Sequence, residues 1–320
     1  MRLGFAVKVL GQPGLKSNDT RRWQSSPHMS VSLAYLRDIL VYLQQARVRM
    51  YRMSSDLAPY LTHPDMPQFH RQVEECTLEL AAIGQFARRN DIRLSVHPAA
   101  HVVLDAWDEQ IAAHSAADLV AQAEILDRME LGPDAVVVTH VGGLYGDKES
   151  SLVRFAARYE QLPESARRRL VLENDERAYT IGDTYRVYQQ TGIRLVLDQL
   201  HYFCNPTPGL DPGEALRLAL STWPEDQIPK IHFSTPCTAL GALKRDGQLG
   251  LAQATLREPS LTQHADLLDP FSFIDLLRLA DGCRDFDVML ECKAKDIALL
   301  RLRRHLARLA PNLVASRAIS

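Results

Sequence analysis

The stretch Arg169–Glu176, RLVLENDE, decides how the rest of the chain is read. Leu170 to Glu173 has the character of a buried strand, and it ends abruptly in a carboxylate, an amide and two more carboxylates. A strand stays inside a sheet because its side chains are apolar, so charge at its last position is costly unless something binds it. A cation is the obvious partner. Other strands that end the same way would supply further ligands.

Outward from this segment, short β-rich runs alternate with amphipathic helical patterns. The predicted strands are Leu3–Val7, Val48–Met53, Arg93–Val96, Ala135–Thr139, Leu170–Leu172, Leu195–Leu197, Lys230–Phe233 and Val288–Leu290. The predicted helices are Ser32–Ala46, Gln68–Asn90, Glu109–Leu131, Glu149–Gln161, Gly182–Thr191, Asp211–Ser221, Pro270–Ala280 and Asp296–Leu309. Eight strands each followed by a helix predict an α/β protein of the TIM-barrel, (β/α)8 type, with residues 1–320 forming a single domain. No GxGxxG follows the first strand, which disfavours the rival, a doubly wound open sheet. Two connections, Gly11–Pro27 and Thr235–His264 with its turn-rich core Lys244–Gly250, are longer than the roughly 2–6 residues of plain barrel loops. Each follows a strand, so both are expected on the active-site face, in contact with substrate; the alternative, almost as well supported for Gly11–Pro27, is a disordered surface excursion.

Composition narrows the function classes. Across 320 residues, 46% hydrophobic and 24% charged side chains are ordinary for a soluble globular protein. No apolar run is long enough to span a membrane, and the start MRLGFAVKVLG lacks a signal-peptide layout, so a cytoplasmic protein is expected. The five cysteines are scattered and never form CxxC, which points away from a disulfide framework and from a thiolate zinc site. A net charge of −2 excludes a wholly basic nucleic-acid binder, though not one basic groove, because bound metal ions add positive charge locally. No heptad or exposed apolar stripe asks for a protein partner, so a monomer is expected.

The strand ends then fall into one pattern. The third ends in His97-Pro98, the fourth in His140, the fifth in Glu173, the sixth in Asp198 with His201, the seventh carries His232, and the eighth ends in Glu291. In a barrel these positions share the C-terminal rim, where catalytic groups collect. Imidazole with carboxylate suits zinc, manganese or iron(II). Seven ligands exceed the needs of one ion; two or three ions sharing a bridging carboxylate, Glu173 or Asp198, would use them. Paired ions about 3.5–4 Å apart suit in-line displacement at phosphorus. A lone histidine at a strand end is more often structural than a ligand, and Glu173 alone could simply pair with Arg52 or Lys230. Recurrence at one phase of six strands favours the metal reading. His28, His70, His114 and His305 lack that placement and are taken as surface residues. His63, just past the second strand, suits acid–base work or orientation of a phosphate, and His264 in the seventh loop suits a third metal. Arg52, Ser54 and Ser55 would hold phosphate oxygens, or else form a salt bridge and close a turn.

Several segments together resemble the UV-damage endonuclease family: LGF at Leu3–Phe5, YRMSSDLAPYLTHP at Tyr51–Pro64, HVGGLYGDK at His140–Lys148, LENDE at Leu172–Glu176, PKIHFS at Pro229–Ser234 and DVMLECKAKD at Asp287–Asp296. The resemblance implies a DNA repair endonuclease that nicks damaged double-stranded DNA on the 5′ side of ultraviolet photoproducts, leaving a 3′-hydroxyl. It implies that His97, His140 and Glu173 hold one ion. Glu173, Asp198, His232 and Glu291 would hold a second, with His201 and His264 serving a third, and manganese is favoured ahead of zinc or magnesium. Glu173, Lys230 and His63 become the catalytic candidates, Lys230 matching a family lysine that can be carboxylated. Arg52, Ser54, Ala100, His101 and Phe5 become the candidate DNA contacts. One departure is clear. Where the family usually follows His-Pro with a small residue, Gln and an aromatic, this chain has Ala99, Ala100 and His101, and the usual Asn-Ser-Pro reads Asp105-Ala106-Trp107. An alanine can neither fill the gap left by flipped bases nor bond to their partners, so an altered damage preference is expected. The alternative from another enzyme class is a metal-dependent sugar isomerase or epimerase on the same barrel.

Overall fold

A computed structural model describes residues 1–242 and 256–319. Eight parallel strands form the barrel: β1 (Leu3–Ala6), β2 (Met50–Met53), β3 (Arg93–Val96), β4 (Val137–Thr139), β5 (Leu170–Glu173), β6 (Arg194–Val196), β7 (Lys230–Phe233) and β8 (Asp287–Leu290). Every predicted strand is present. Their order around the sheet is β6-β5-β4-β3-β2-β1-β8-β7. The ring closes between β6 and β7 through a single parallel bridge, Asp198 to His232, where the His232 amide donates to the Leu197 carbonyl at 2.9 Å. Eight long helices cover the outside: α1 (Met29–Gln45), α2 (Thr77–Arg89), α3 (Glu109–Arg128), α4 (Lys148–Gln161), α5 (Ile181–Thr191), α6 (Pro212–Ser221), α7 (Pro270–Leu279) and α8 (Lys295–Leu309).

Each layer follows from its residues. The strands are too short to alternate polar and apolar side chains, and β1, β3, β4, β5, β7 and β8 are buried throughout, as expected where helices cover one side of the sheet and the barrel interior the other. Caps set the helix starts: Asp108, Asp147 and Asp269 accept from backbone amides of the first turn, and Thr180 and Asp211 form reciprocal capping boxes. Gly192, at φ 73°, ends α5 in the left-handed conformation that glycine adopts without a Cβ penalty.

The helix expected over Gln68–Asn90 is interrupted. A 3-10 turn at Pro67–Phe69 and a short helix at Gln72–Glu75 precede α2. The cause is Gln72, 1% exposed, whose amide donates to the carbonyls of Pro59 and Phe69 at 2.7 and 2.9 Å and accepts from the Met29 amide at 2.8 Å. This cross-link makes the segment follow the β2 loop and the start of α1 instead of the α2 axis.

The floor of the barrel is polar. Arg93 bonds Asp287 at 3.0 Å, and the Trp223 ring lies 5.7 Å from the Arg93 guanidinium and 4.7 Å from that of Arg194. At the opposite end, Gly241–Ala242 pairs with Leu256–Arg257 inside the long seventh connection. The Lys244–Gly250 core expected to touch substrate lies outside the described residues.

Candidate metal centre

Glu173 ends β5 on the rim, 1% exposed, and its two oxygens face different partners. Oε2 is 3.2 Å from His97 Nε2 and 3.7 Å from His140 Nε2, so it serves the ends of β3 and β4. Oε1 is 2.9 Å from His232 Nδ1 on β7 and 3.6 Å from His201 Nδ1 beyond β6. A carboxylate placed this way is a bridge between two ligand sets. Ligand atoms of His97, His140 and Glu173, and again of Glu173, Asp198 and His232, lie within 4.8 Å of one another. Glu291 extends the second set, its Oε1 being 3.2 Å from His232 Nδ1. His264 approaches the same Glu291 at 3.9 Å. The eight ligands expected from the sequence therefore meet on one rim.

Unsatisfied atoms show that these residues suit divalent cations. Asp198 Oδ2, His232 Nε2 and His140 Nδ1 are buried without a hydrogen-bond partner, a rare condition for polar atoms that a coordinated ion relieves. Neighbouring groups orient the ligands as metal ligands require. His97 Nδ1 lies 3.1 Å from the Pro98 carbonyl and His201 Nδ1 3.0 Å from the Asn174 carbonyl, so each ring presents Nε2 outward. The Asn174 side chain also spans the Asp198 backbone, accepting from its amide at 2.9 Å and donating to its carbonyl at 3.1 Å.

The electrostatics match an incoming positive charge. Burial disfavours the Glu173 anion, yet the imidazoles of His232 and His140 hold its carboxyl well below the usual carboxylate range. Burial raises Asp198, with the charges of Glu173 and Glu291 adding to it against the pull of His201. His97 is pushed down to about 4 by burial and is neutral at pH 7, ready to ligate. His201 is also pulled down by burial, but Asp198 and Glu173 outweigh this and lift it to about 9. A cation taken up there displaces that proton.

Lys230 is fully buried in β7, and its Nζ has no partner. Burial, with Arg93 and Arg52 nearby, depresses its pKa well below 10.5. The unfolded chain thus binds a proton that the folded chain does not, so stability is present in full above the unfolded pKa and falls as pH drops toward the folded one. Lys230→Met is therefore expected to stabilise the metal-free protein by about 1–3 kcal/mol, more at pH 6.5 than at pH 9.5, as read by urea denaturation. An unchanged or lowered midpoint would mean that the amine has a partner.

Other expected site residues are placed differently. Phe5 is fully buried, edge-on to Tyr51 at 5.5 Å, and is a core residue instead of a DNA contact; both faces of β1 are covered. Ser54, 6% exposed, accepts from the Asp56 amide at 3.2 Å and closes a turn, which leaves no open face toward DNA. Arg52 is paired with Glu291, so its guanidinium steadies a ligand carboxylate. His63 is held within its own loop, against the Tyr60 ring and accepting from the Asp65 amide, and makes no hydrogen bond to the rim carboxylates.

Beside His97 and His140 opens a cavity of about 830 Å³ whose wall includes Ala100, His101, Gly142, Tyr145 and Arg177. Ala100 and His101 are exposed at its edge. Trp107 does not turn inward: it is 65% exposed, and the Arg154 guanidinium lies between its ring at 5.5 Å and that of Tyr145 at 5.9 Å. Below this loop Asp105 is fully buried against Gly142, where a Cβ would come within 1.9 Å of its Oδ1 and where φ is +130°. Only glycine fits there.

The model of the family described as UV-endonuclease UvdE matches residues 22–317. The chain belongs to the UvdE family. A UV DNA damage endonuclease of Bacillus velezensis is 33% identical, over 86% of this chain and 81% of that protein. One from Bacillus pumilus is 29% identical, over 93% and 95%. The crystal structure of SacUVDE superposes with a TM-score of 0.78 at 27% identity, covering 97% of this chain and 99% of the other. Membership makes the chain a DNA-cleaving hydrolase, an endonuclease of damage repair. A D-psicose 3-epimerase from Clostridium cellulolyticum shares 13% identity at a TM-score of 0.53, over 99% and 98% of the two chains; that likeness is one of fold alone. The sugar-isomerase alternative thus has only the barrel in its favour. Among the described residues no helix is long and apolar enough to cross a membrane.

Sequence reading of this UvdE member missed Glu176 and Ser234. Glu176 Oε2 lies 3.9 Å from His201 Nε2, and Ser234 Oγ lies 2.6 Å from His264 Nδ1. Ser234 was visible in PKIHFS, two residues beyond His232, but its partner stands 30 positions on.

Proposed function

We propose that this chain hydrolyses the phosphodiester immediately 5′ of ultraviolet photoproducts in double-stranded DNA and leaves a 3′-hydroxyl. The observation that carries the reading is the division of Glu173 between two ligand sets, one oxygen to His97 and His140 and the other to His232 and His201, in a UvdE barrel. His97, His140 and Glu173 would hold one ion; Glu173, Asp198, His232 and Glu291 a second; His201 and His264 a third, with manganese suited to this oxygen and imidazole set. Bound there, the ions would supply an activated water and neutralise charge building on the phosphate. Lys230 Nζ, kept neutral by burial, can take up a proton as water attacks. Arg52 keeps Glu291 ionised and aimed inward, and His63 is assigned to the phosphate side of the groove. The test is incubation of the manganese-loaded protein with irradiated and plain duplex. A lesion-dependent 5′ nick is expected; no such nick, together with turnover of a small ketose, would overturn the reading.

Ala100 and His101 bear on which lesions are accepted. They stand exposed on the cavity beside His97, where a longer amide and a phenol ring would reach further into a duplex. The double variant Ala100→Gln, His101→Tyr is expected to nick irradiated duplex about tenfold faster, from the roughly 1–3 kcal/mol that one stacked base contributes. Equal rates for the two proteins would sink the idea of an altered preference.

A further inference from the structure

A separate cavity of about 720 Å³ opens at the amino-terminal end of the barrel, away from the metal centre. Its wall includes Leu170 and Arg194, the first residues of β5 and β6. Glu173 stands at the other end of β5, about 10 Å of strand from Leu170, so the cavity and the metal ligands lie at opposite ends of the sheet. The wall carries three guanidinium groups, Arg167, Arg168 and Arg194, against one carboxylate, Glu164, which is exposed.

Two of these cations lack a counter-charge. Arg194 is 8% exposed, and its guanidinium donates to neutral oxygens: the Pro133 carbonyl at 3.2 Å, Gln227 Oε1 at 2.5 Å and the Arg168 carbonyl at 2.5 Å. Burial, then Arg93 and Arg169, pull its pKa down to about 10, so it is still charged at pH 7. Arg167 ends the short helix Glu164–Arg167; its side chain has no partner among the described residues, and its Nε is buried. The nearby acids are already committed. Asp127 is shared by Arg168 and Arg169 at 2.7 and 2.8 Å, and Asp287 by Arg2 and Arg93 at 2.9 and 3.0 Å. A buried charge without a partner is costly, and an entering anion relieves that cost.

The ligand follows from the charge balance. Two uncompensated guanidinium ions call for two negative charges. A phosphate dianion supplies both, on oxygens that match the guanidinium fork, whereas a carboxylate supplies one. Gln227, on the same wall, gives its Oε1 to Arg194 and keeps Nε2 to donate to a further oxygen. The volume exceeds that of one phosphate, and the half-buried Tyr188 ring on the wall leaves room for a nucleoside beside it. We propose that this floor cavity is an anion site that holds a phosphate dianion, free or as the terminal group of a nucleotide, between Arg167 and Arg194. It is independent of the chemistry at the rim, and its occupant ties the approach to β5 to the start of β6.

The test uses the full-length, metal-loaded protein freed of excess ion, in buffers held at one ionic strength with sodium chloride. Raising inorganic phosphate from about 1 to about 100 mM is expected to raise the melting temperature by about 2 °C or more. Arg167→Gln should lose most of that shift and bind phosphate about tenfold more weakly by isothermal titration calorimetry, the loss of one charge-assisted bond. Its melting temperature in chloride should not fall, since the side chain it replaces has no partner. Arg167→Lys, which keeps the charge, should keep part of the shift. Thymidine 5′-monophosphate in place of phosphate sorts the source: tighter binding assigns the site to a nucleotide, equal or weaker binding to the free anion. No shift in the wild type overturns the site, and so does an equal shift in Arg167→Gln, which would place the anion on the metals. Displacement of the phosphate by plain duplex overturns it in favour of a DNA surface. Wild type and Arg167→Gln should nick irradiated duplex at the same rate, so the site and the proposed function can fail separately.

Discussion

Glu173→Gln will lower the rate of nicking irradiated duplex by about a thousandfold or more, and the purified variant will carry less metal. The magnitude follows from the double duty of the side chain. Its oxygens lie 3.2 Å from His97 and 2.9 Å from His232, so no other ligand touches both sets as closely. An amide of the same shape presents one weak oxygen and one nitrogen that cannot ligate, so one set or the other loses its carboxylate. Loss of preorganised charge stabilisation at a single group is typically worth 10²–10³ in rate, and two ions would share this carboxylate. The metal-free variant should also lose roughly 3–5 kcal/mol of stability, because a buried charge that four imidazoles face has been removed. Metal content by atomic emission and single-turnover nicking would check it. Retention of both metal and rate would show that Glu173 is a structural ion-pair partner only. Because its carboxyl is held well below the ordinary range, Glu173 is ionised throughout pH 5–9 and does not set an acidic limb of activity in that window.

Asp105→Asn will raise stability at pH 8 and change it little at pH 4. Both Asp105 oxygens are buried and neither makes a well-formed hydrogen bond. Burial pushes the carboxyl up to about 7 although the backbone amide of Gly143, and after it Arg154 and Arg158, pull the other way. With an ordinary unfolded value near 3.8, the unfolded chain releases its proton first as pH rises. The stability contributed by the protonated acid is whole below pH 3.8, declines through the interval, and is lost above about 7. The span corresponds to at most about 4 kcal/mol, and a gain of about 1–3 kcal/mol in the variant at pH 8 is the expected result. The surrounding loop should tolerate the change. Arg154 Nε donates to the Asp105 carbonyl at 2.9 Å and Arg158 to the Leu104 carbonyl at 2.6 Å, contacts that involve only backbone oxygens. Thermal melts of both proteins at pH 4, 6 and 8 decide it; parallel curves would mean that Asp105 is ionised and satisfied at every pH.

The strands and their carboxyl-terminal ligands were legible because both signals are local: a short apolar run, then a histidine or acid at the same phase. What the sequence could not convey was depth. Phe5 and Ser54 sit in motifs shared with a DNA-cleaving family, yet one is sealed inside the barrel and the other closes a turn, since the burial of a residue depends on elements far along the chain. The interruption before α2 had the same origin, in a glutamine bonded to partners 13 and 43 residues away. The split of Glu173 oxygens between two ligand sets is likewise a matter of rotamer, which no motif records.

The bridge that closes the barrel joins Asp198 to His232, two of the residues proposed to hold metal. The last strand pairing of the ring and the proposed metal centre therefore share two residues. Because the bond there runs from the His232 amide to the Leu197 carbonyl, replacing the two side chains would strip the centre of ligands while the ring stays closed. Exchange of the His232 amide with solvent would report on that joint alone.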